Sequence, residues 1–566
     1  AVSGLHISLV GMSCLRLLDR IRLRKGASLF ISGIASVLYV LLTGASGSAL
    51  RALIMLICRF WAMYRSKSYD MISAIALAML LLIFARPYMT LQSGFQLSFL
   101  AVFGIAFLGD TVTRSLELLF QNRRTGYIRK YIDKRGRLSG AARTVISNLS
   151  VQLMTMPAIA FHFFTFPIYG IALNFAVIPL TGLVMYSGMA VLLAGSLADT
   201  ALVPEAVAVG LGALGHYILE LYEWLCRLSI GLPFNEILLG RPDMINIIVY
   251  YLVICGAAIL WRRLGWGGAF QGKAGRAWRL RSSPMAPLCL ILTFLIPTAL
   301  LIKLPERIDG LTVTALDVGL GDCFILRRGE EVYMVDGGSD SDKDIYGNVI
   351  KPYLMHEGIR RIDDIYVSHS DADHTNGILA MLMEDSIAAG KLILPGAAEE
   401  AESYAELKAA WIASNSAGRD DSDMKDSDMD GSISYAELTV PGEDELFSCL
   451  YEGSTGEETN DHGPVLLLRY GAFSMLFTGD MTKEQEERFY VEGSRLREQL
   501  MPFGVTVLKV GHHGSRTSSS DQLLKAAKPA YALISCGREN RFGHPHEDVV
   551  ERIARYADLQ LRTDVS

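Results

Sequence analysis

The sequence lacks a cysteine framework, and its first half has few charged residues. None of its eight cysteines stands at zinc-finger spacing. Cys14, Cys58, Cys226, Cys255 and Cys289 lie in apolar segments, and Cys323, Cys449 and Cys536 lie beyond them. The odd count in the second group leaves at least one thiol free, so cysteine usage points to no disulfide framework and the cysteines read as small apolar fillers. There is no Gly-x-x-x-x-Gly-Lys-Ser/Thr loop, so this chain supplies no P-loop motor. Nor is there a recognisable secretory signal; the chain opens at Ala1 within an apolar segment and reads as a piece of something longer. At 566 residues it is too long for one domain. Charged residues make up 20% against 51% hydrophobic, and the net charge of -6 averages two unlike halves, so it says little about partners.

The apolar excess lies almost wholly before residue 304. Segments near 5–18, 29–45, 49–64, 70–86, 94–109, 144–165, 169–197, 203–230, 243–261 and 286–303 are long enough to cross or nearly cross a hydrocarbon core. Basic residues cluster at Arg20–Lys25, at Arg65 and Lys67, through the 110–143 loop, and in the acid-free 262–282 loop. With about ten spans, all four clusters fall on one side, which the positive-inside rule makes cytoplasmic, and everything after 304 then lies outside it. Arg51, Gln96, Gln152, Asn174 and His216 are costly in lipid and are channel candidates. Pro157 and Pro179 would interrupt helices, and broken helices are tolerated where they line a cavity. The ordinary alternative for each polar residue is a hydrogen bond between helices.

From Leu311 the pattern changes to short alternating strands with Gly and Asp at their ends, separated by helical stretches. This predicts two sheets with helices outside, an αβ/βα sandwich. The chain is thus expected to be multi-domain: residues 1–304 an α-helical polytopic membrane bundle, and residues 305–566 an αβ/βα domain. The run Ser368-His369-Ser370-Asp371-Ala372-Asp373-His374, directly after Ile365-Tyr366-Val367, holds four metal-ligand side chains in six residues. His369 and Asp371 can share one ion, and Asp373 and His374 on the following turn can reach another. Imidazole with carboxylate suits zinc or manganese. Polar residues also gather at other strand ends, in Asp317–Asp322, Val335–Gly338, Phe477–Asp480, Val510–Ser515 and Gly543–His546.

Taken in order, Asp317-Val318-Gly319-Leu320-Gly321-Asp322, the Ser368–His374 cluster, Thr478-Gly479-Asp480, Gly511-His512-His513-Gly514-Ser515 and His544-Pro545 resemble the metallo-β-lactamase-fold half of the ComEC family of DNA-internalisation competence proteins. The first cluster reads His-x-Asp-x-Asp-His in place of the superfamily's His-x-His-x-Asp-His. Ser3-Gly4-Leu5-His6, Ala49-Leu50-Arg51-Ala52, Gly94-Phe95-Gln96-Leu97-Ser98 and Asn174 with Pro179 resemble that family's channel domain. The resemblance implies a DNA uptake channel of natural transformation in the bacterial inner membrane, with an extracytoplasmic metal-dependent nuclease domain that degrades the strand not transported. It implies two divalent ions, zinc or manganese. His369 and Asp371 would hold one, Asp373 and His374 the other, Asp480 would bridge and His512 would complete the second site. His513 and His544 would orient water or phosphate, with Asp373 helping to hold or deprotonate the attacking water. Asp461 or His462 stands where superfamily hydrolases often take a further ligand. Implied partners are DNA, membrane lipids and other competence proteins, including a DNA receptor and a cytoplasmic ATPase. The family's N-terminal oligonucleotide-binding-like region is not found ahead of the first spans, and Arg562-Thr563-Asp564 resembles the start of an unfinished final strand.

Asp426–Glu437 matches an EF-hand loop, with Asp426, Asp428, Asp430, Gly431 and Glu437 in calcium-binding positions. Pro441-Gly442 follows too closely for an exiting helix, so an acidic solvated loop is the competing reading. The alternative function is a membrane-anchored metallo-phosphodiesterase acting on envelope substrates without DNA transport.

Overall fold

Long apolar stretches in the first part of the chain form helices, because in lipid every backbone polar group must be satisfied within its own segment. The computed structural model describes residues 4–121, 138–198, 204–233, 235–266, 292, 295–303, 307–384, 387–399, 401–417, 433–436, 446–451, 463–492, 504–538 and 540–565. The chain divides into two units, Ala1–Lys303 and Leu304–Ser566.

In the first unit, α1 (Gly4–Arg20), α2 (Lys25–Leu42), α3 (Gly47–Tyr64), α4 (Met71–Ala85), α5 (Ser93–Phe103), α6 (Asp110–Gln121), α7 (Gly140–Phe163), α8 (Gly170–Ala198), α9 (Glu205–Ile230) and α10 (Met244–Trp266) follow one another. A two-stranded ribbon, β1 (Thr165–Pro167) with β2 (Glu236–Leu238), ties α7 to the entry of α10. Among the described residues, six helical stretches are long and apolar enough to cross a membrane, and Met71–Ala85 is a shorter apolar helix. Most of the expected spans therefore coincide with helices, while the 286–303 segment lies largely outside the described residues. The unit carries large apolar side chains on its outside as well as in its core. Phe30, Leu42, Phe84 and Leu192 are exposed, whereas Ser28, Ser32 and Ser36 of α2 are fully buried on one face. A Cβ on Gly11 would lie 2.6 Å from Ser36 Oγ and 2.5 Å from Leu56 Cδ2, so small residues set how closely α1, α2 and α3 approach.

Pro157 and Pro179 do not break their helices as expected. Each sits inside a continuous helix, α7 or α8. A proline forfeits one backbone bond, a loss that neighbouring helices and local adjustment accommodate in membrane-type bundles.

The second unit has two six-stranded sheets. One runs in the order β3 (Ile308–Ala315), β4 (Phe324–Gly329), β5 (Glu331–Val335), β6 (Arg361–Tyr366), β7 (Ala388–Pro395), β8 (Ile433–Ala436). The other runs β14 (Leu559–Arg562), β13 (Tyr531–Ile534), β12 (Val507–Lys509), β11 (Phe473–Phe477), β10 (Val465–Tyr470), β9 (Phe447–Tyr451). β3, β4 and β5 pair antiparallel and β5 to β8 parallel; β9, β10 and β11 pair antiparallel and β11 to β14 parallel.

Strand alternation decides which core each side chain enters. Phe324, Leu326, Tyr333 and Val335 meet Phe447, Leu466, Leu468, Met475 and Phe477 between the sheets. Their neighbours Ile325 and Met334 face outward against α11 (Lys351–Glu357), α12 (Ala372–Glu384) and α13 (Ala405–Ala417). Val465, Leu467 and Leu476 face the other way, against α14 (Lys483–Glu492), α15 (Asp521–Ala527) and α16 (Glu547–Ile553). The result is the expected αβ/βα sandwich.

Two boundaries differ from expectation. The last strand is Leu559–Arg562, ahead of the Arg562–Asp564 start expected for it, because its parallel register on β13 is used up by Arg562, which pairs with Ile534. Ile433–Ala436, the described part of the EF-hand-like segment, pairs parallel to β7. Asp426, Asp428, Asp430 and Glu437 lie outside the described residues.

Phe324 and Phe477 meet edge to face across the sandwich with centroids 5.2 Å apart. Phe324→Ala should destabilise the second unit by about 3–5 kcal/mol, read from denaturant unfolding. A loss below about 1 kcal/mol would contradict this packing account.

Candidate metal centre

The strand ends converge because β5 and β6 run parallel, as do β11, β12 and β13, so their C-terminal ends lie together. Main-chain bonds stitch these ends into one floor. Asp322 N donates to Asp373 O (3.1 Å), Gly338 N to Asp322 O (3.1 Å) and Gly337 N to His374 O (2.8 Å). Glycine is required at two of these crossings. A Cβ at Gly321 would lie 2.4 Å from Gly338 O, and one at Gly338 would lie 2.4 Å from His374 N.

Each buried histidine is held by one ring nitrogen and presents the other. His374 Nδ1 lies 3.0 Å from Asp336 Oδ2, while Asp336 Oδ1 accepts from Ser368 N at 2.7 Å. His513 Nδ1 donates to Ser535 O at 2.9 Å. His369 Nδ1 meets Ser368 Oγ at 3.0 Å. The Nε2 atoms of His369, His374 and His513 are buried and have no hydrogen-bond partner. They face carboxylates: His374 Nε2 is 3.4 Å from Asp480 Oδ1, and His513 Nε2 is 3.5 Å from Asp480 Oδ2 and 3.4 Å from Asp373 Oδ2. Imidazoles fixed through one nitrogen, with the other orphaned beside carboxylates, have the chemistry of a divalent-ion site. Two ligand groups emerge among the described residues, Asp322 with His374, Asp480 and His513, and His369 with Asp373 and His374.

Charge balance in the metal-free protein points the same way. Burial opposes protonation of His374, but Asp480, Asp336 and Asp373 outweigh it and hold its pKa well above the ordinary imidazole value. Burial likewise opposes protonation of His513, which Asp480 and Asp322 raise. His369 is pushed down to about 4 by burial and by its neighbour His374. The Asp480 carboxyl, despite burial, is held well below its usual range by His513, His374 and Lys509.

The sequence-derived candidates divide accordingly. His369, Asp373, His374 and Asp480 come together, and the side chain of Asp371, 44% exposed, lies at the rim with Oδ2 3.7 Å from His369 Nε2. His512, expected to complete the second site, stands farther out, with Nε2 3.9 Å from Asp480 Oδ2. His513 joins the ligand group instead. Both residues have positive φ (47° and 52°), which turns the inner ring towards Asp480 and the outer one towards His544, 5.7 Å away ring to ring. His544 is half-buried and lowered to about 4 by burial, then by His512 and His546. Asp461 and His462 lie outside the described residues. Sequence reasoning passed over Asp336 as a hairpin residue, Asp322 as a glycine-turn residue, and Lys509 altogether. The available signal for Lys509 was a lone cation inside the apolar run Val507–Val510.

In the first unit, the guanidinium of buried Arg51 donates through Nε to Ser98 Oγ at 2.8 Å. Gln96 Nε2 donates to Thr90 O (2.9 Å), and its Oε1 lies 3.0 Å from His162 Nε2. Asn174 Nδ2 donates to Asn148 Oδ1 at 3.4 Å. Gln152 is half-buried on α7, and His216 is exposed beside Glu220 at 3.2 Å.

An αβ/βα domain with a buried Asp/His centre, preceded by a polytopic helical unit, defines a membrane protein carrying a metallo-hydrolase domain. Residues 1–264 match the Competence protein family, and residues 316–538 match the metallo-beta-lactamase superfamily. ComE operon protein 3 of Bacillus subtilis is 24% identical over all of this chain and 66% of its own length. Competence protein ComA of Neisseria gonorrhoeae is 30% identical over 46% of this chain and 32% of its own. Recombination protein 2 of Haemophilus influenzae is 30% identical over 45% and 28% respectively. The chain thus spans just under two thirds of the first relative and about a third or less of the other two. Its first part is thus a Competence protein region and its second a metallo-beta-lactamase superfamily region, the combination that the ComEC resemblance implies.

His374 and His513, with raised pKa values, stabilise the metal-free fold fully below about pH 6.5, and this contribution fades as pH rises through their folded-state values. Metal ligation needs the same Nε2 atoms deprotonated. The gain in melting temperature on adding Mn²⁺ should therefore grow between about pH 6 and pH 8.5, and a pH-independent gain would contradict the arrangement. Separately, Asp336→Asn should weaken metal affinity about 10- to 100-fold, measured by chelator competition, because it loosens the orientation of His374.

Proposed function

We propose that this chain forms the DNA uptake channel of natural transformation in the bacterial inner membrane. Its second unit would lie outside the cytoplasm and hydrolyse the strand not transported. The observation that carries this reading is the convergence of three buried, unpartnered imidazole Nε2 atoms with Asp373 and Asp480, in a chain whose first part matches the Competence protein family. Two of the relatives are named for competence and for recombination, and the charge parity of the basic loops favours an extracytoplasmic second unit.

The residues take roles by position. His369, with Asp371 at the rim, would hold one divalent ion, and Asp373, His374 and His513 another, with Asp480 between them. Zinc or manganese bound there would supply Lewis-acid activation of water and charge for the phosphoryl oxygens. Asp373 opens α12 and its side chain is the most solvent-accessible of the inner carboxylates at 21%, so it is placed to take the proton of the attacking water. His512 and His544 stand outside the ligand group and face an incoming phosphate or its leaving oxygen. Arg516 and Arg541 flank the approach, each already paired with a carboxylate, Asp548 at 3.2 Å and Asp340 at 2.7 Å. In the first unit Arg51, Gln96, Gln152 and Asn174 are the polar contacts offered to a strand in transit. DNA, membrane lipids, a DNA receptor and a cytoplasmic ATPase are the partners this reading requires.

The second unit, supplied with Mn²⁺ or Zn²⁺, should cut single-stranded DNA in preference to small phosphodiesters. Asp373→Asn should lower the rate by about 10²-fold or more. Turnover confined to small phosphodiesters would sink the nuclease reading and leave the envelope phosphodiesterase in its place.

A further inference from the structure

Asp322 has ligand atoms within 4.8 Å of those of His374, Asp480 and His513, and by residue type it counts as a metal ligand. The geometry points to another role. We propose that Asp322 is the counter-ion of Lys509, that this pair stays out of coordination, and that Lys509 is a built-in cation that sets the charge and seat of Asp480. This rests on the metal-centre reading given above.

Asp322 lies behind the histidines. Its carboxylate oxygens are 3.7 Å from His374 Nδ1 and 3.9 Å from His513 Nδ1. The opposite ring atoms, Nε2, face Asp480 and Asp373. Both Nδ1 atoms are committed, to Asp336 and to the Ser535 carbonyl. An ion held by the Nε2 atoms therefore has the imidazole rings between itself and Asp322.

Lys509 supplies what Asp322 needs. It ends β12, is 1% exposed, and its ammonium lies directly against Asp322 Oδ2. It also donates to Gly479 O at 3.0 Å and reaches Asp480 Oδ1 at 3.4 Å. The ammonium thus donates hydrogen bonds to two oxygens and pairs by charge with a third, Asp322 Oδ2, whose carboxylate oxygens have no hydrogen-bond partner; a charge partner of this kind is what lets a buried lysine stay charged. Asp322 is equally confined, at 0% exposure with its own N–H and C=O in the stitched floor. Through Gly479 O and Asp480 Oδ1 the ammonium grips the turn that presents Asp480. Lys509 is accordingly a positioning residue, since it acts on the ion through Asp480.

A double-mutant cycle on the detergent-solubilised full chain tests the pair, with Mn²⁺ affinity read by chelator competition and metal content per chain. Asp322→Asn leaves Lys509 uncompensated beside Asp480 and should weaken Mn²⁺ binding about tenfold or more. Adding Lys509→Met removes the stray charge and should restore affinity to within about threefold of wild type. A double variant as weak as Asp322→Asn, whether from a lost ligand or a lost fold, overturns the proposal. So does an Asp322→Asn variant that binds like wild type, since the pair then has no charge role. Wild-type chain that binds no divalent ion at all defeats the metal-centre reading itself, a separate result.

Discussion

The second unit depends on compensating negative charge in a place water cannot reach. Asp322, Asp336 and Asp480 are each at most 3% exposed, and Asp373 sits beside them. Buried carboxylates are tolerated only where cations and hydrogen bonds meet them. Lys509 answers Asp322, His374 answers Asp336, and the remaining Nε2 atoms face Asp480 and Asp373 without hydrogen-bond partners. A divalent ion fits this arrangement, because it would be held by the imidazole Nε2 atoms and would neutralise the carboxylates together.

The sandwich makes such a concentration possible by keeping its hydrophobic work elsewhere. Strand alternation sends Phe324 and Leu326 between the sheets and Ile325 outward, so both faces of each sheet are covered before the chain reaches the strand ends. The polar loops are then left at one edge, with glycines at 321 and 338 letting backbone pass close to backbone. Rigid strands hold ligands in place better than long loops do, which is the requirement for a preorganised centre. The first unit solves a different solvent problem. It exposes many large apolar side chains, buries Ser28, Ser32 and Ser36 on one helix face, and makes polar contacts between helices, Arg51 to Ser98 and Gln96 to His162.

Much of this was legible in the sequence, and the misses have physical reasons. Period-two alternation and the strand-end clusters announced the sandwich and brought His369, Asp373, His374 and Asp480 together, since consecutive strand residues and a following turn constrain direction strongly. Adjacent His512 and His513 were the reverse. Which one turns inward depends on φ values of 47° and 52°, and nothing in Gly-His-His-Gly dictates that both take the left-handed region. Asp336 and Lys509 escaped notice because their importance comes from partners 38 and 187 positions away in sequence, His374 and Asp322. Pro157 and Pro179 misled for a related reason, because the rule that proline ends a helix describes an isolated segment rather than a packed one.

The departure from the His-x-His pattern fits this charge economy. With Asp371 in place of an imidazole, the outer position gains a negative charge at a residue that is 44% solvent-exposed on its side chain. Exposure matters, because a rim carboxylate can be hydrated when no ion is bound, whereas a further buried one would need another Lys509. The inner positions, where hydration is unavailable, carry the imidazoles His374 and His513, each able to take a proton when no ion is there. A rim carboxylate that joined the ligands would also shift the donor set towards oxygen, which would favour harder ions such as manganese relative to an all-imidazole site. The same substitution that obscures the superfamily motif is thus the one that bears most directly on which metal the centre prefers.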